Sequence, residues 1–152
     1  MKPAIADIKN ATCHSHEKLT RLLQTGCDQF GMMLGLVSKI ENDTYTVICA
    51  YPDGLLNVGE SFSISDTICN ITRQHASVVS FSKASGTDWM MHPAYEKFSI
   101  ESYIGVIYYI NGKPAGTLNF SSPTALGREF SNKDHKDIRQ LAQIVSEILT
   151  TP

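Results

Sequence analysis

The chain has 152 residues, 42% of them hydrophobic and 18% charged, enough to bury one core and too few for two domains. Thirteen Lys and Arg face fifteen Asp and Glu, and no segment gathers basic residues, so nothing here would neutralise a row of phosphates and nucleic acid is not an expected partner. The four cysteines, Cys13, Cys27, Cys49 and Cys69, show no CxxC spacing, which excludes a zinc ribbon or a thioredoxin-type dithiol and reads as reduced thiols in a cytoplasmic protein.

Residues 1–18 read as a helical lead-in to one domain over 19–150. Lys2, Asp7 and Lys9 interrupt any signal-peptide core, and no apolar run has membrane-spanning length, so this chain is not expected to insert in a membrane. From Leu19, the positions Leu22, Leu23, Cys27 and Phe30 mark one face of an amphipathic helix, with Gly31 as its stop. Leu34, Leu36 and Ile40, then Tyr45, Val47, Cys49 and Tyr51, alternate on either side of Glu41-Asn42-Asp43, which predicts a β-hairpin. Pro52-Asp53-Gly54 ends it, and Ser65 or Asp66 is expected to cap a short helix through Ile68, Cys69 and Ile71.

Val78, Val79 and Phe81 predict a short buried strand, followed by a loop from Ser82 to Asp88. Pro93 suits the first turn of a short helix whose Ala94, Tyr95 and Phe98 share one side, and this insertion reads as a lid. Ile104, Val106, Tyr108 and Ile110 alternate up to Asn111-Gly112, and Thr117 to Phe120 runs back, the pattern of a tight hairpin in which Pro114 is tolerable beside the turn. Ser131 and Asp134 form a capping-box-like pair ahead of a last helix carrying Ile138, Leu141, Ala142, Ile144, Val145, Ile148 and Leu149. At about 100° per residue that apolar arc spans roughly 160°, more than one sheet contact requires. Leu141, Ile144 and Ile148 edge it. They are expected to remain uncovered within one subunit and to build a homodimer on the terminal helices, so that Ile144→Glu with Ile148→Glu would give a folded monomer.

These elements predict an α+β fold with a central antiparallel sheet of five to six strands. The terminal helices pack on one face, and short helices and a lid loop cover the other. In this order, the segments FGMMLGLVSKIENDTYTV, DTIC, HPAYEKFSIESYIGV, NGKPAGTLNFSSP and FSNKDHKDIRQLAQ resemble the GAF family as found upstream of histidine kinases and diguanylate cyclases. The resemblance spans roughly residues 22–149. It implies a GAF/PAS-like fold and a pocket for an unknown small molecule between sheet and lid. It also implies dimerising terminal helices that pass a signal to a covalently linked or separate output domain, as in two-component systems. Because the chain stops soon after Leu149, it is expected to be a fragment of a longer receptor or a free-standing sensor. The candidate ligand-binding residues are Phe62, Cys69, Phe81, Trp89, Tyr95, Phe98, Tyr103, Tyr108, Asn119 and Ser121. They are mostly aromatic or apolar, which suits a small, partly flat ligand better than a polyphosphate.

Within the resemblance, cyclic-nucleotide-binding members carry Asn-Lys, then at a distance Phe, three residues and Asp-Glu. Asn119, Phe130 and Asp134 fit, while Phe120 and His135 stand where Lys and Glu would be, so Asp134 lacks the family's charge partner. Bilin-binding members need a cysteine in the segment occupied by His92-Pro93-Ala94-Tyr95, and none is there. Haem would need His92 or His75 as axial ligand, but a lone histidine reads more readily as a surface or helix-terminal residue, so no cofactor and no visible absorption band are expected. Free-methionine sulfoxide reductases are GAF-like and use a cysteine near Cys69. The lid and following strand offer no second cysteine to resolve a sulfenic acid, so a reductase is the enzymatic alternative, and turnover of free methionine sulfoxide is not expected. A ligand-free dimerisation scaffold is the other alternative. Cys13, His14 and His16 read as a solvated helix face rather than a metal site, no catalytic motif such as GxSxG or HExxH occurs, and the chain is not expected to be an enzyme.

Overall fold

A computed structural model describes residues 15–75 and 77–150. Helix α1 spans Ser15–Phe30 and ends where Gly31 takes a left-handed φ of 72°, a conformation glycine adopts without a Cβ penalty. Because α1 is continuous from Ser15, the expected boundary at 18/19 falls inside it.

Strands β1 (Leu34–Glu41) and β2 (Thr44–Tyr51) form the first hairpin. Strand β3 (Ser61–Ser63) adds to β2 after a loop, a strand the sequence pattern did not single out. A 3-10 turn at Ile64–Asp66 precedes the four-residue helix α2, Cys69–Thr72. Neither Ser65 nor Asp66 caps α2, as had been expected. Thr67 is extended and separates the turn from the helix, Ser65 bonds to Ser63 instead, and Asp66 pairs with Lys97 at 2.8 Å. Strand β4 (Val79–Phe81), helix α3 (Pro93–Phe98), strands β5 (Ser102–Ile110) and β6 (Lys113–Ser122), and helix α4 (Asn132–Thr150) complete the chain.

The six strands make one sheet in the order β3-β2-β1-β6-β5-β4, with every adjacent pair antiparallel, so the two long hairpins meet at β1 and β6. The Asn111-Gly112 turn closes the β5–β6 hairpin with φ of 53° and 77°, the positive values a type I′ turn demands.

Each face of the sheet carries its own core. The helix face gathers Leu19, Leu22, Leu23 and Phe30 of α1, Val37, Val106, Leu118 and Phe120 of the sheet, and Ile138, Leu141 and Val145 of α4. The other face gathers Leu36, Tyr45, Val47, Ile64, Ile68, Cys69, Phe81, Ala94 and Tyr103. A bulge in β2 redistributes the residues that looked like one alternating row. Val37 pairs with Cys49 and Ser38 with Val47, leaving Ile48 as the extra residue. Tyr45 and Val47 consequently join the lid-side core, while Cys49 and Tyr51 turn to the helices.

The expected uncovered edge of α4 is corrected. Leu141, Ile144 and Ile148 are 0%, 6% and 7% exposed within the single chain, because α4 rests on β5 and β6 and also against α1, and the sheet and the helix together cover that edge. The exposed outer positions of α4 are polar, including Arg139, Gln140 and Gln143. They offer no apolar strip to a second subunit.

The N-terminus of α4 does use the expected capping pair. The Ser131 N–H donates to Asp134 Oδ2 at 2.8 Å, and the Asp134 N–H to Ser131 Oγ at 3.1 Å. Arg128 adds an ion pair to Asp134 at 2.6 Å, supplying the charge partner that the sequence comparison had found missing. Burial alone would raise the Asp134 carboxyl, but the bonds from Arg128 and Ser131 outweigh it and hold the group below its usual range. Its stabilising share is therefore complete above the unfolded value of about 4 and is lost as pH falls through the lower folded value. Asp134→Asn is expected to cost about 1 kcal/mol at neutral pH and to flatten that acid-side loss, which urea melts of both proteins at neutral and acid pH will check.

Candidate functional site

On the face away from α1 and α4, the sheet and the covering segments enclose a cavity of about 340 Å³. Strand pairing builds its floor in two rows. Ser121 lies between Leu34 on β1 and Tyr103 on β5, and Asn119 lies between Leu36 and Gly105. Gly105 is required there, since a Cβ would sit 2.2 Å from the Tyr103 hydroxyl oxygen. With no side chain in the way, Tyr103 lies along its own strand and brings its hydroxyl 2.8 Å from Thr72 Oγ1 and 3.5 Å from Cys69 Sγ.

The walls are apolar. Phe62 of β3 and Phe98 of α3 meet edge to face, with centroids 5.2 Å apart and planes at 86°, a favourable aromatic geometry. Leu55 and Leu56 reach in from the loop between β2 and β3, and Ile68 and Ile100 close the sides. Met33 and Leu55 remain 56% and 58% exposed, so the mouth is rimmed by apolar side chains. No Lys, Arg, Asp, Glu or His lines the cavity among the described residues.

At the bottom lies a compact polar network. Asn119 Nδ2 donates towards Tyr45 Oη at 3.3 Å, Cys69 Sγ at 3.3 Å and Thr117 Oγ1 at 3.2 Å. Thr117 Oγ1 donates to Cys69 Sγ at 3.1 Å and pairs with Ser38 Oγ at 2.8 Å. Burial pushes the Cys69 thiol up despite hydrogen bonds from Thr117 and Tyr103 that favour the thiolate, and it drives the Tyr45 and Tyr103 hydroxyls well above their ordinary values. The groups around Cys69 are therefore neutral near pH 7, and desolvation outweighs any help from the single turn of α2.

Six of the ten sequence-derived candidates line this cavity: Phe62, Cys69, Phe98, Tyr103, Asn119 and Ser121. Phe81, Trp89 and Tyr95 lie beside it. Phe81 stacks between Trp89 at 4.4 Å and Tyr103 at 5.8 Å, and the Tyr95 hydroxyl bonds to Ser85 at 3.1 Å. The expected lid thus contributes mainly Phe98 and the residues just after α3, and much of the cover comes from the loop between β2 and β3. Tyr108 is a correction, because it packs in the helix-side core and donates to the Ser38 carbonyl at 2.8 Å. Strand parity carried that signal, since residues five apart, like Tyr103 and Tyr108, lie on opposite faces of a regular strand. Leu34, Leu36 and Tyr45 were missed because their place depends on cross-strand register. Leu55 and Leu56 were missed because they sit in a loop with turn chemistry on both sides.

The residues weighed for other chemistry are occupied elsewhere. Asn119 faces the cavity, whereas Phe130 packs against the helix-side core and Asp134 caps α4, so the partial cyclic-nucleotide pattern does not converge. His92 accepts the Ala94 N–H through Nδ1 at 3.0 Å and caps α3, and burial lowers its pKa, favouring the neutral ring this role needs. His75 Nδ1 lies 2.8 Å from the Ile71 carbonyl. His16 is exposed, while Cys13 and His14 lie outside the described residues. No metal-binding group of His, Cys, Asp and Glu occurs among the described residues, and no described helix is long and apolar enough to cross a membrane.

No protein-family model matches the chain, and no curated protein matches it. Solved structures do match by shape. The GAF domain of an Acinetobacter phosphoenolpyruvate-protein phosphotransferase is similar over 95% of this chain and 87% of that one, at 18% identity and a TM-score of 0.73. The chromophore-binding domain of Stigmatella aurantiaca phytochrome P1 is similar over 97% of this chain and 57% of that one, at 11% identity and a TM-score of 0.75. A type II free methionine-R-sulfoxide reductase from Thermoplasma acidophilum is similar over 94% and 95% of the two chains, at 14% identity and a TM-score of 0.70. The chain has the α+β fold of a GAF domain. Identities this low speak for the fold alone.

Proposed function

We propose that this domain is a sensory module that binds a small molecule between its sheet and the covering loops and communicates occupancy through its terminal helices. The observation that carries the reading is the cavity itself, about 340 Å³ of apolar wall over a few convergent polar groups, the usual make-up of a small-molecule site. Its floor strands β5 and β6 support α4 on their other face, so a ligand that shifts the floor would bear directly on the last helix. Assembly on the terminal helices remains part of the proposal, but it would have to use their polar outer positions.

Native mass spectrometry of gently purified protein, together with titration of the neutral fluorophore N-phenyl-1-naphthylamine, tests the ligand reading. A retained small molecule, or saturable dye binding abolished by the cavity-filling Leu36→Trp in a folded variant, is the expected outcome. An empty protein that binds no dye, or dye binding unchanged by Leu36→Trp, overturns it. The same mass spectra report subunit number, and a strictly monomeric species at micromolar concentration overturns the dimer.

A reductase is favoured by one observation, the position of Cys69 in the cavity. The other described cysteines, Cys27 and Cys49, lie in the helix-side core across the sheet, where neither can resolve a sulfenic acid at Cys69. With thioredoxin, thioredoxin reductase and NADPH, free methionine sulfoxide is expected to give no NADPH oxidation above background. Turnover that disappears in Cys69→Ser would establish the enzymatic reading instead.

A further inference from the structure

We propose that the cavity, on the reading that it is a ligand site, takes an uncharged aromatic molecule carrying one N–H or O–H donor, which it presents to Asn119 Oδ1. The inference rests on which polar atoms of the floor are already committed. Asn119 is 3% exposed and Ser121 is 4% exposed, and both line the cavity. The Asn119 Nδ2 protons face Tyr45, Cys69 and Thr117, while its Oδ1 makes no hydrogen bond among the described residues. Ser121 Oγ makes none either, although its backbone carbonyl accepts the Met33 N–H. These two atoms belong to alternate residues of β6, whose side chains leave the same face of the strand from backbone positions about 7 Å apart.

Oδ1 faces the open cavity, so a ligand that displaces water there leaves it unpaired at a cost unless it brings a donor, and Asn119 is held in its orientation by three neighbours around its Nδ2. A ligand donor at Oδ1 would relieve that cost. Ser121 Oγ, free to rotate, can then donate to or accept from a second polar atom further along the ligand. No cation or carboxylate lines the cavity among the described residues, and that sets the charge, because a buried phosphate, carboxylate or ammonium would find no counter-charge there to offset its lost hydration. The aromatic preference comes from the walls. Phe62 presents its ring to Phe98 edge to face at 5.2 Å and lies 6.3 Å from the Tyr45 ring, and all three rings line the cavity, so a ligand ring can continue the same packing.

The test uses the unmodified protein and three related probes, indole, 1-methylindole and indole-3-carboxylate, each titrated against bound N-phenyl-1-naphthylamine. Indole, with its N–H, is expected to compete about tenfold more tightly than 1-methylindole, which leaves Oδ1 unpaired, and the carboxylate is expected to compete least. Asn119→Leu should bring indole and 1-methylindole to within about twofold of each other by removing that acceptor. Dye binding with equal competition by the two neutral probes, or with the carboxylate strongest, overturns this inference and leaves the general ligand reading intact. Failure of the dye to bind protein that native mass spectrometry shows to be empty removes the ligand reading itself and this inference with it. The two neutral probes on the parent protein decide the question even where the variant does not fold.

Discussion

Ile144→Glu combined with Ile148→Glu is expected to unfold the domain rather than release a folded monomer. Both isoleucines are more than nine-tenths buried in the single chain, in the same core as Leu19, Leu22 and Val106. Removing a buried isoleucine side chain costs about 2–5 kcal/mol. Each glutamate then either carries an unpaired charge into that core or gives it up by taking a proton, and both routes add several kcal/mol. Against a domain stability of about 5–15 kcal/mol, two such changes remove most or all of the margin. Far-UV circular dichroism and urea titration will check it, with Arg139→Glu and Gln143→Glu on the exposed face as a control expected to stay within about 0.5 kcal/mol of the parent. A double glutamate variant that melts cooperatively near the parent midpoint would show that these side chains are not core.

Gly26→Ala is expected to destabilise the domain even though alanine is the better helix former. On propensity alone the change would contribute about 1 kcal/mol of stability in the middle of α1. The packing argues the other way, because a Cβ at Gly26 would lie 2.2 Å from the end of the Phe120 ring. That ring is fully buried and meets Phe30 edge to face at 5.2 Å, and Gly35 on the adjoining strand also leaves space for it, with a Cβ there 3.0 Å from the ring. Phe120 has no open side to retreat to, so α1 must lift or the ring must leave its rotamer, at about 1–3 kcal/mol or more. The net expected loss is about 1–2 kcal/mol in urea melts, and Phe120→Leu in the Gly26→Ala background should recover part of it. A stabilised Gly26→Ala protein would mean that helix propensity wins and that the close approach of α1 to Phe120 is wrong.

These two cases divide along the line between local and non-local information. The periodicity of Leu19, Leu22, Leu23 and Phe30, the Asn111-Gly112 turn, Pro93 at the start of α3 and the Ser131–Asp134 cap are signals confined to a few consecutive residues. Each corresponds to an element found in the structure. Backbone geometry and capping are short-range, so the residues that dictate them are neighbours in the chain. The same local signals ordered the elements well enough to give an antiparallel sheet with helices on one face and shorter pieces on the other.

What those signals left open was everything decided by which strand lies beside which. The bulge at Ile48 exists only in the pairing of β2 with β1, and it sends Cys49 to one core and Val47 to the other. The cavity floor exists only because β1 and β5 flank β6, which sets Leu36 and Gly105 beside Asn119. Six of the proposed site residues line the cavity because aromatic and small polar residues in the right segments were plausible on composition. Tyr108 lies on the helix face, as strand parity relative to Tyr103 requires, and Phe81, Trp89 and Tyr95 pack beside the cavity rather than in its lining. The wide apolar arc of α4 was correctly seen as needing cover, but sequence spacing cannot say whether that cover is the same chain or another. The tertiary structure decided it, because α1 packs beside α4 on the same sheet face, and α1 together with β5 and β6 buries Leu141, Ile144 and Ile148 within one chain.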